Sequence, residues 1–233
     1  MPVILGFDTA TADTAVAVCG APGEERLLGP ADGRPVHGRS LLGSIEGAVD
    51  DAGGWDAIEL IAVGLGPGSF TGLRIGISTA RALAQARRLP IVGVPTTAAL
   101  LAGIDAGPPT NITVPGARLA VVDARRGEVF AASDEGHGPS DPVVCPPEEI
   151  AGALGPAIVA GAIAAGDGAL RFRSQIEAVG ATVLPEADRG HRVSARHVCE
   201  LGATMDRLEP EQIRPLYLRR PDAERWQQRD GRN

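Results

Sequence analysis

Residues Gly66-Pro67-Gly68-Ser69-Phe70-Thr71-Gly72-Leu73-Arg74-Ile75-Gly76 join a glycine-punctuated turn to the opening of a helix. Such a turn can cradle a phosphate, because the first-turn N–H groups have no partner within the helix and the helix dipole is positive there. The familiar phosphate patterns do not fit. A Walker loop needs a lysine, and the dinucleotide fingerprint needs a third glycine at a fixed offset. Counting from Gly64 puts Ser69 at that place, and counting from Gly66 puts Thr71 there. Around Ser69, the positions that a nucleophile elbow fills with glycine hold Pro67 and Thr71, so the strained turn of an acyl-transfer serine is not encoded.

Two acids stand at comparable places. Asp8 ends an apolar strand just before Thr9-Ala10-Thr11. There it could orient a metal-bound water or a phosphate, or simply accept the turn's own N–H groups as a cap. Asp123 precedes Ala124-Arg125-Arg126 in the same way, and the arginine pair is either a phosphate contact or a solvated tip. His37, His137, His191 and His197 form no metal-ligand pair, and no His-Glu-x-x-His occurs.

The elements that must position these residues follow from periodicity. Val3 to Asp8, Asp13 to Cys19 and a segment near Arg26 to Leu28 read as strands, and a helix with Ser40 as N-cap carries Leu41, Leu42, Ile45, Ala48, Val49 and Ala52 on one face. Strand Ile58 to Leu65, a helix from the glycine run to about Arg87, strand Ile91 to Val94 and a helix from Thr96 or Thr97 come next. Asp105 to Gly116 carries three prolines and marks a domain boundary. Beyond it, Arg118 to Asp123 and Glu128 to Ser133 pair as a hairpin. Strand Ala157 to Ala160, helix Gly168 to Ala178, strand Thr182 to Leu184 and helix Ser194 to Leu208 then alternate. Residues 1–107 and 108–213 are therefore expected as two α/β lobes, each opening with strands, and 214–233 as a basic extended tail with six arginines against three acids. Within the glycine-run helix, Gly72, Gly76, Ala80 and Ala84 recur every four residues and form a stripe of small side chains. That stripe lies against the chain's own sheet or receives another subunit.

Composition narrows the chemistry. All 22 basic residues are arginine, so Schiff bases, a P-loop lysine and a lysine general base are excluded. Aromatics make up 3% of the chain, which leaves few surfaces for stacking bases, and the net charge of −7 argues against nonspecific nucleic-acid binding. Cys19, Cys145 and Cys199 are odd in number and widely spaced, as expected of reduced cytosolic thiols. The N-terminus lacks the basic n-region of a signal peptide. The longest uncharged run, Leu89 to Ile104, is broken by two prolines and falls short of a membrane span.

Four segments together resemble the TsaB (YeaZ) family, a bacterial subunit of the machinery that makes threonylcarbamoyladenosine in tRNA. They are Ile4-Leu5-Gly6-Phe7-Asp8-Thr9-Ala10-Thr11, the Gly66 to Gly76 run, Val122-Asp123-Ala124-Arg125-Arg126-Gly127-Glu128-Val129-Phe130, and Pro215-Leu216-Tyr217-Leu218-Arg219. The resemblance implies two ribonuclease-H-like lobes of the actin-like ATPase and sugar-kinase (ASKHA) superfamily. It also implies a cytoplasmic, non-catalytic scaffold that binds a catalytic TsaD subunit as a heterodimer, with a TsaE-like ATPase joining and tRNA reached through the complex. Gly68, Phe70, Gly72, Leu73, Gly76 and Ala80, with Leu41 and Ile45, are then the expected partner face, and the isolated chain could self-associate through it. Asp8, Thr9, Thr11 and Asp123 would be vestigial phosphate-binding residues, since Ala10 replaces the glycine of the first phosphate loop. No metal site or cofactor is assigned to this chain, whereas ATP and a divalent metal are implied for the complex. His37 receives no role. The competing expectation is an independent ATP-binding phosphotransferase or ATPase of the same fold; a metallopeptidase, suggested by older family names, has no ligand set.

Overall fold

A computed structural model describes residues 2–104 and 117–219. The expected domain boundary at 105–116 and the tail from residue 220 lie outside them. In the first lobe, β1 (Ile4–Asp8), β2 (Thr14–Cys19) and β3 (Arg26–Leu28) are followed by α1 (His37–Asp51), β4 (Leu60–Gly64), α2 (Phe70–Arg87), β5 (Ile91–Val94) and α3 (Thr96–Gly103). The sheet order is β3-β2-β1-β4-β5, antiparallel across the first three strands and parallel from β1 to β4 to β5. Parallel neighbours cannot be joined by a tight turn, and α1 and α2 supply the crossovers. Period-two alternation sends Leu5, Phe7, Ile61 and Val63 towards α1 and α2, and Ile4, Leu60 and Ala62 to the opposite face.

The second lobe repeats this plan. Strands β6 (Arg118–Arg125), β7 (Glu128–Asp134) and β8 (Val143–Cys145) precede α4 (Ile150–Leu154), α5 (Pro156–Val159), β9 (Ile163–Ala165), α6 (Asp167–Arg171), α7 (Arg173–Ala178), β10 (Thr182–Val183) and α8 (Ala195–Gly202). Its order, β8-β7-β6-β9-β10, has the same two antiparallel and two parallel pairings. The duplication that element order suggested without any sequence repeat is therefore present in the topology. Two such lobes in tandem match the two-lobe α/β plan that the sequence predicted.

Two helices cross between the lobes. α3, which follows the first sheet, packs on β6 and β7, whereas α8, last in the chain, packs on β1 and β2. The inward faces of both sheets share one core with them, including Ile4, Val92, Leu100, Val122, Phe130 and Val198. Gly6 makes this possible, because a Cβ there would meet Cys199 Sγ at 2.5 Å and the Ala195 carbonyl at 2.8 Å. The layers run α1/α2, first sheet, α3/α8, second sheet, α4 to α7.

Several boundaries differ from expectation. α1 starts at His37 with Val36 as N-cap, and the Ser40 hydroxyl donates to the Val36 carbonyl instead of capping. Leu42 leaves the apolar face and is 58% exposed. The expected strand Ala157 to Ala160 lies in α5, which starts at Pro156, and the strand begins only at Ile163, after Gly161 turns at φ 80°. The helix expected over 168–178 breaks at Phe172 into α6 and α7. α8 stops at Gly202, and Leu208 pairs instead with the edge of β5 at Ile91. Strand β8 lies in a stretch expected as loop.

Candidate functional site

The turn after β1 is closed by its own hydrogen bonds. Asp8 is buried; one carboxylate oxygen accepts the Ala10 N–H at 2.7 Å and the other the Thr96 hydroxyl at 2.6 Å. The Thr96 oxygen in turn accepts the Gly66 N–H at 3.0 Å. Burial raises the Asp8 pKa, and the Thr96 and Ala10 hydrogen bonds oppose that rise. A Cβ at Gly64 would collide with this carboxylate. Asp8 thus takes the capping geometry, pinned between β4 and α3.

Thr9 decides the orientation of α2. Its hydroxyl donates to the Gly72 carbonyl at 2.8 Å, and a Cβ on Gly72 or Gly76 would strike the Thr9 carbonyl or hydroxyl oxygen. Ala80 and Ala84 continue the same line into the core beneath α1 and β4, where Leu41 and Ile45 also lie. The expectation that Gly72, Leu73, Gly76, Ala80, Leu41 and Ile45 face a partner is corrected: all six are buried in the chain's own interior. Gly68 is likewise pressed against the Ala10 carbonyl, which accepts the Ser69 N–H at 2.6 Å, while Ser69 Oγ takes the Gly72 N–H at 3.3 Å. These two N–H groups of the run, which a phosphate would use, serve the fold. Of the expected partner residues, Phe70 is the exposed one, at 40%.

The outer surface of α1 and α2 is a different set. Leu42, Gly43 and Glu46 on α1 and Thr71, Arg74, Ser78 and Ala82 on α2 are exposed. Gly38 and Gly43 are helical, yet a Cβ on either would meet nothing within 4 Å, whereas Gly47 accommodates the Arg26 guanidinium at 2.9 Å. His37, buried at the start of α1, accepts the Thr14 hydroxyl at Nδ1 (2.7 Å) and donates from Nε2 to the Thr11 carbonyl (3.1 Å), tying α1 to the turn after β1. The sequence offered no motif for this role.

A cleft of about 490 Å³ separates the lobes, with Thr11 and Phe70 on one lip and Asp123, Arg125 and Asp167 on the other. Asp123 accepts the Arg125 N–H at 2.8 Å and pairs with Arg171 at 2.8 Å and Arg125 at 3.2 Å. The turn reverses through Arg125, Arg126 and Gly127, all at positive φ. Asp167 accepts the Asp123 N–H at 3.0 Å, and burial raises its pKa. Sequence reasoning missed Asp167, although Gly166-Asp167-Gly168 between strand and helix was a readable signal. The cleft therefore brings Thr11 and Asp123 together and leaves Asp8 outside its lining. Among the described residues, no three His, Cys, Asp or Glu side chains cluster as a metal site, and no helix is long and apolar enough to cross a membrane.

A family model described as TsaD, tRNA N6-adenosine threonylcarbamoyltransferase, matches residues 30–141. The tRNA threonylcarbamoyladenosine biosynthesis protein TsaB of Escherichia coli is 35% identical over 155 residues, 62% of this chain and 63% of that protein, so the match spans less than two thirds of that relative. An uncharacterised protein of Mycobacterium tuberculosis is 31% identical over 189 residues, covering 81% of this chain and 77% of its own length. YeaZ from Pseudomonas aeruginosa superposes with a TM-score of 0.73 at 25% identity, over 94% of this chain and all of that one. With a TsaB relative in sequence and a YeaZ relative over nearly the whole fold, this chain belongs to the TsaB/YeaZ family.

Proposed function

We propose that this chain is a non-catalytic, cytoplasmic subunit of the complex that transfers a threonylcarbamoyl group to N6 of the adenosine beside the anticodon in tRNAs reading codons that begin with A. In this reading it binds and stimulates a TsaD-like catalytic subunit, a TsaE-like ATPase joins them, tRNA is met through the complex, and ATP and a divalent metal belong to the partners. The observation that carries it is the outer face of α1 and α2. A glycine inside a helix costs about 0.5–1 kcal/mol relative to alanine, and Gly38 and Gly43 have no neighbour among the described residues that requires them. Beside an exposed Leu42, they allow the backbone of another helix to come close. The match to a TsaD family model over residues 30–141 includes this helix pair, so a TsaD-like subunit would carry a similar pair, and the two could meet about an approximate two-fold axis. The same geometry would let the isolated chain pair with itself.

The test is gel filtration of this chain with its TsaD-like subunit, followed by tRNA modification in a reconstituted mixture. Gly43→Arg and Leu42→Asp, both on exposed positions, are expected to abolish the heterodimer while leaving the monomer's melting temperature within a few degrees. A heterodimer that survives both substitutions refutes the assignment of this face. The cleft, with Asp123 and Asp167 on one lip, favours a second reading as an ATP-binding phosphotransferase; calorimetry of the isolated chain with ATP and magnesium decides it, and a saturable heat would displace the scaffold reading.

A further inference from the structure

The end of the described chain is anchored on both lobes. Ile213 is buried in the core under α2, and the Leu216 N–H donates to the Leu65 carbonyl at 2.8 Å. The Tyr217 ring then stacks on Phe70, with centroids 5.4 Å apart, while the Arg74 guanidinium lies 3.9 Å from the Phe70 centroid and its Nε donates to the Tyr217 hydroxyl at 3.5 Å. Two residues later the chain has reached the other lobe. Leu218 packs on the central core, and Arg219 donates to the Ala124 carbonyl at 3.0 Å and pairs with Glu128, so it grips both sides of the β6–β7 turn. The first turn of α2 and the β6–β7 turn are the opposite lips of the cleft.

The lobes share a packed core behind the cleft, but its two lips are turns at the edge of that core, and such turns open locally unless a contact spans them. We propose that residues 213–219 are a clasp that holds the two lips of the cleft at a fixed separation and steadies the first turn of α2, with Tyr217 and Arg219 as its two positioning residues. The separation of the lips is then maintained by residues 213–219 rather than by a ligand in the cleft. One consequence, which rests on the partner reading above, is that the outer face of α2 is presented already ordered.

Tyr217 is the only tyrosine of the chain, so 3-fluorotyrosine labelling places a single fluorine probe on the clasp. In the full chain, Arg219→Ala should narrow the fluorine resonance and shift it towards that of the free amino acid. It should also raise amide exchange about tenfold or more in segments 64–70 and 122–128, with β1 and β4 unchanged. Arg219→Lys, which keeps one charged contact but not the fork, should fall between. Resonance and exchange equal to those of the unsubstituted chain overturn the clasp; so does a general loss of protection that includes β1 and β4, because the clasp requires release confined to the two lips. Slower exchange at both lips when ATP and magnesium are added also overturns it. These readouts use the isolated chain and are independent of partner binding. The heterodimer affinity of Arg219→Ala, expected to fall about tenfold through lost preorganisation, tests only the consequence for α2.

Discussion

Alanine at Gly72 and alanine at Gly43 should move stability in opposite directions. Both sites are helical, and alanine is favoured over glycine there by about 0.5–1 kcal/mol. At Gly43 nothing among the described residues lies within 4 Å of the new methyl, so the full gain should appear. At Gly72 the methyl collides with the backbone carbonyl of Thr9, which cannot rotate away, and the Thr9 hydroxyl bond to the Gly72 carbonyl is strained as well. Overpacking a well-filled site costs about 1–3 kcal/mol, and a hydrogen bond about 1 kcal/mol. Set against the helix gain, Gly72→Ala should lose about 1–3 kcal/mol. For a chain of this length 1 kcal/mol corresponds to about 2–4 °C, so Gly43→Ala should melt about 1–4 °C higher and Gly72→Ala about 2–12 °C lower. Denaturant titration followed by Trp55 fluorescence measures the same difference, since Trp55 is half-buried with Arg87 over its ring at 4.6 Å. A Gly72→Ala protein as stable as the unsubstituted chain would refute the packing of α2 on Thr9 and reopen the small-residue stripe as a partner face.

Two pH-dependent outcomes follow from buried groups. Burial holds the His37 pKa below its usual value of 6.5, with the Thr11 carbonyl and Asp13 opposing. The unfolded chain then binds the proton first, so stability is present above pH 6.5 and declines as pH falls through the interval down to the folded-state pKa. Melting temperatures at pH 7 and pH 5 should show this decline, and His37→Gln should remove the His37 part of it while costing about 1–2 kcal/mol at pH 7 through the lost bonds to Thr14 and Thr11; an unchanged slope would contradict the burial argument. Asp8 behaves in the opposite sense, because its pKa is raised above 3.8 in the folded chain. The folded state holds this proton more tightly, so the Asp8 contribution is complete below pH 3.8 and diminishes as pH rises through the folded-state pKa. The advantage of the unsubstituted chain over Asp8→Asn, read from urea midpoints, should therefore be larger at pH 4 than at pH 7. The reverse order would mean that Asp8 is stabilised as a carboxylate.

Much of the fold was legible because its signals are local. Short apolar runs bounded by turn residues marked β1, β2, β4, β6 and β7, and the strand-turn-helix junction at residues 64–70 stands where the glycines predicted it. The apolar run from Ala157 to Ala165 was misread, since a short uniformly apolar stretch has no period by which helix and strand can be told apart. The candidate site was less legible. Thr11 and Asp123 line the cleft as lip residues, but Asp167 and His37 depend on contacts with residues more than 20 positions away.

By itself the sequence determined the two-lobe α/β plan, the exclusion of lysine chemistry and the positions of both reversing turns, because each rests on residue type or short-range spacing. Tertiary structure alone decided that α3 and α8 exchange sheets and that the Gly72 to Ala84 stripe faces inward. Small residues every four positions leave a groove on a helix, and the pattern is the same whether a foreign helix or the chain's own Thr9 fills it. Only the packing of α2 on the turn after β1 distinguishes the two, and it leaves Leu42, Gly43 and Ser78 on the exposed outer surface of the helix pair.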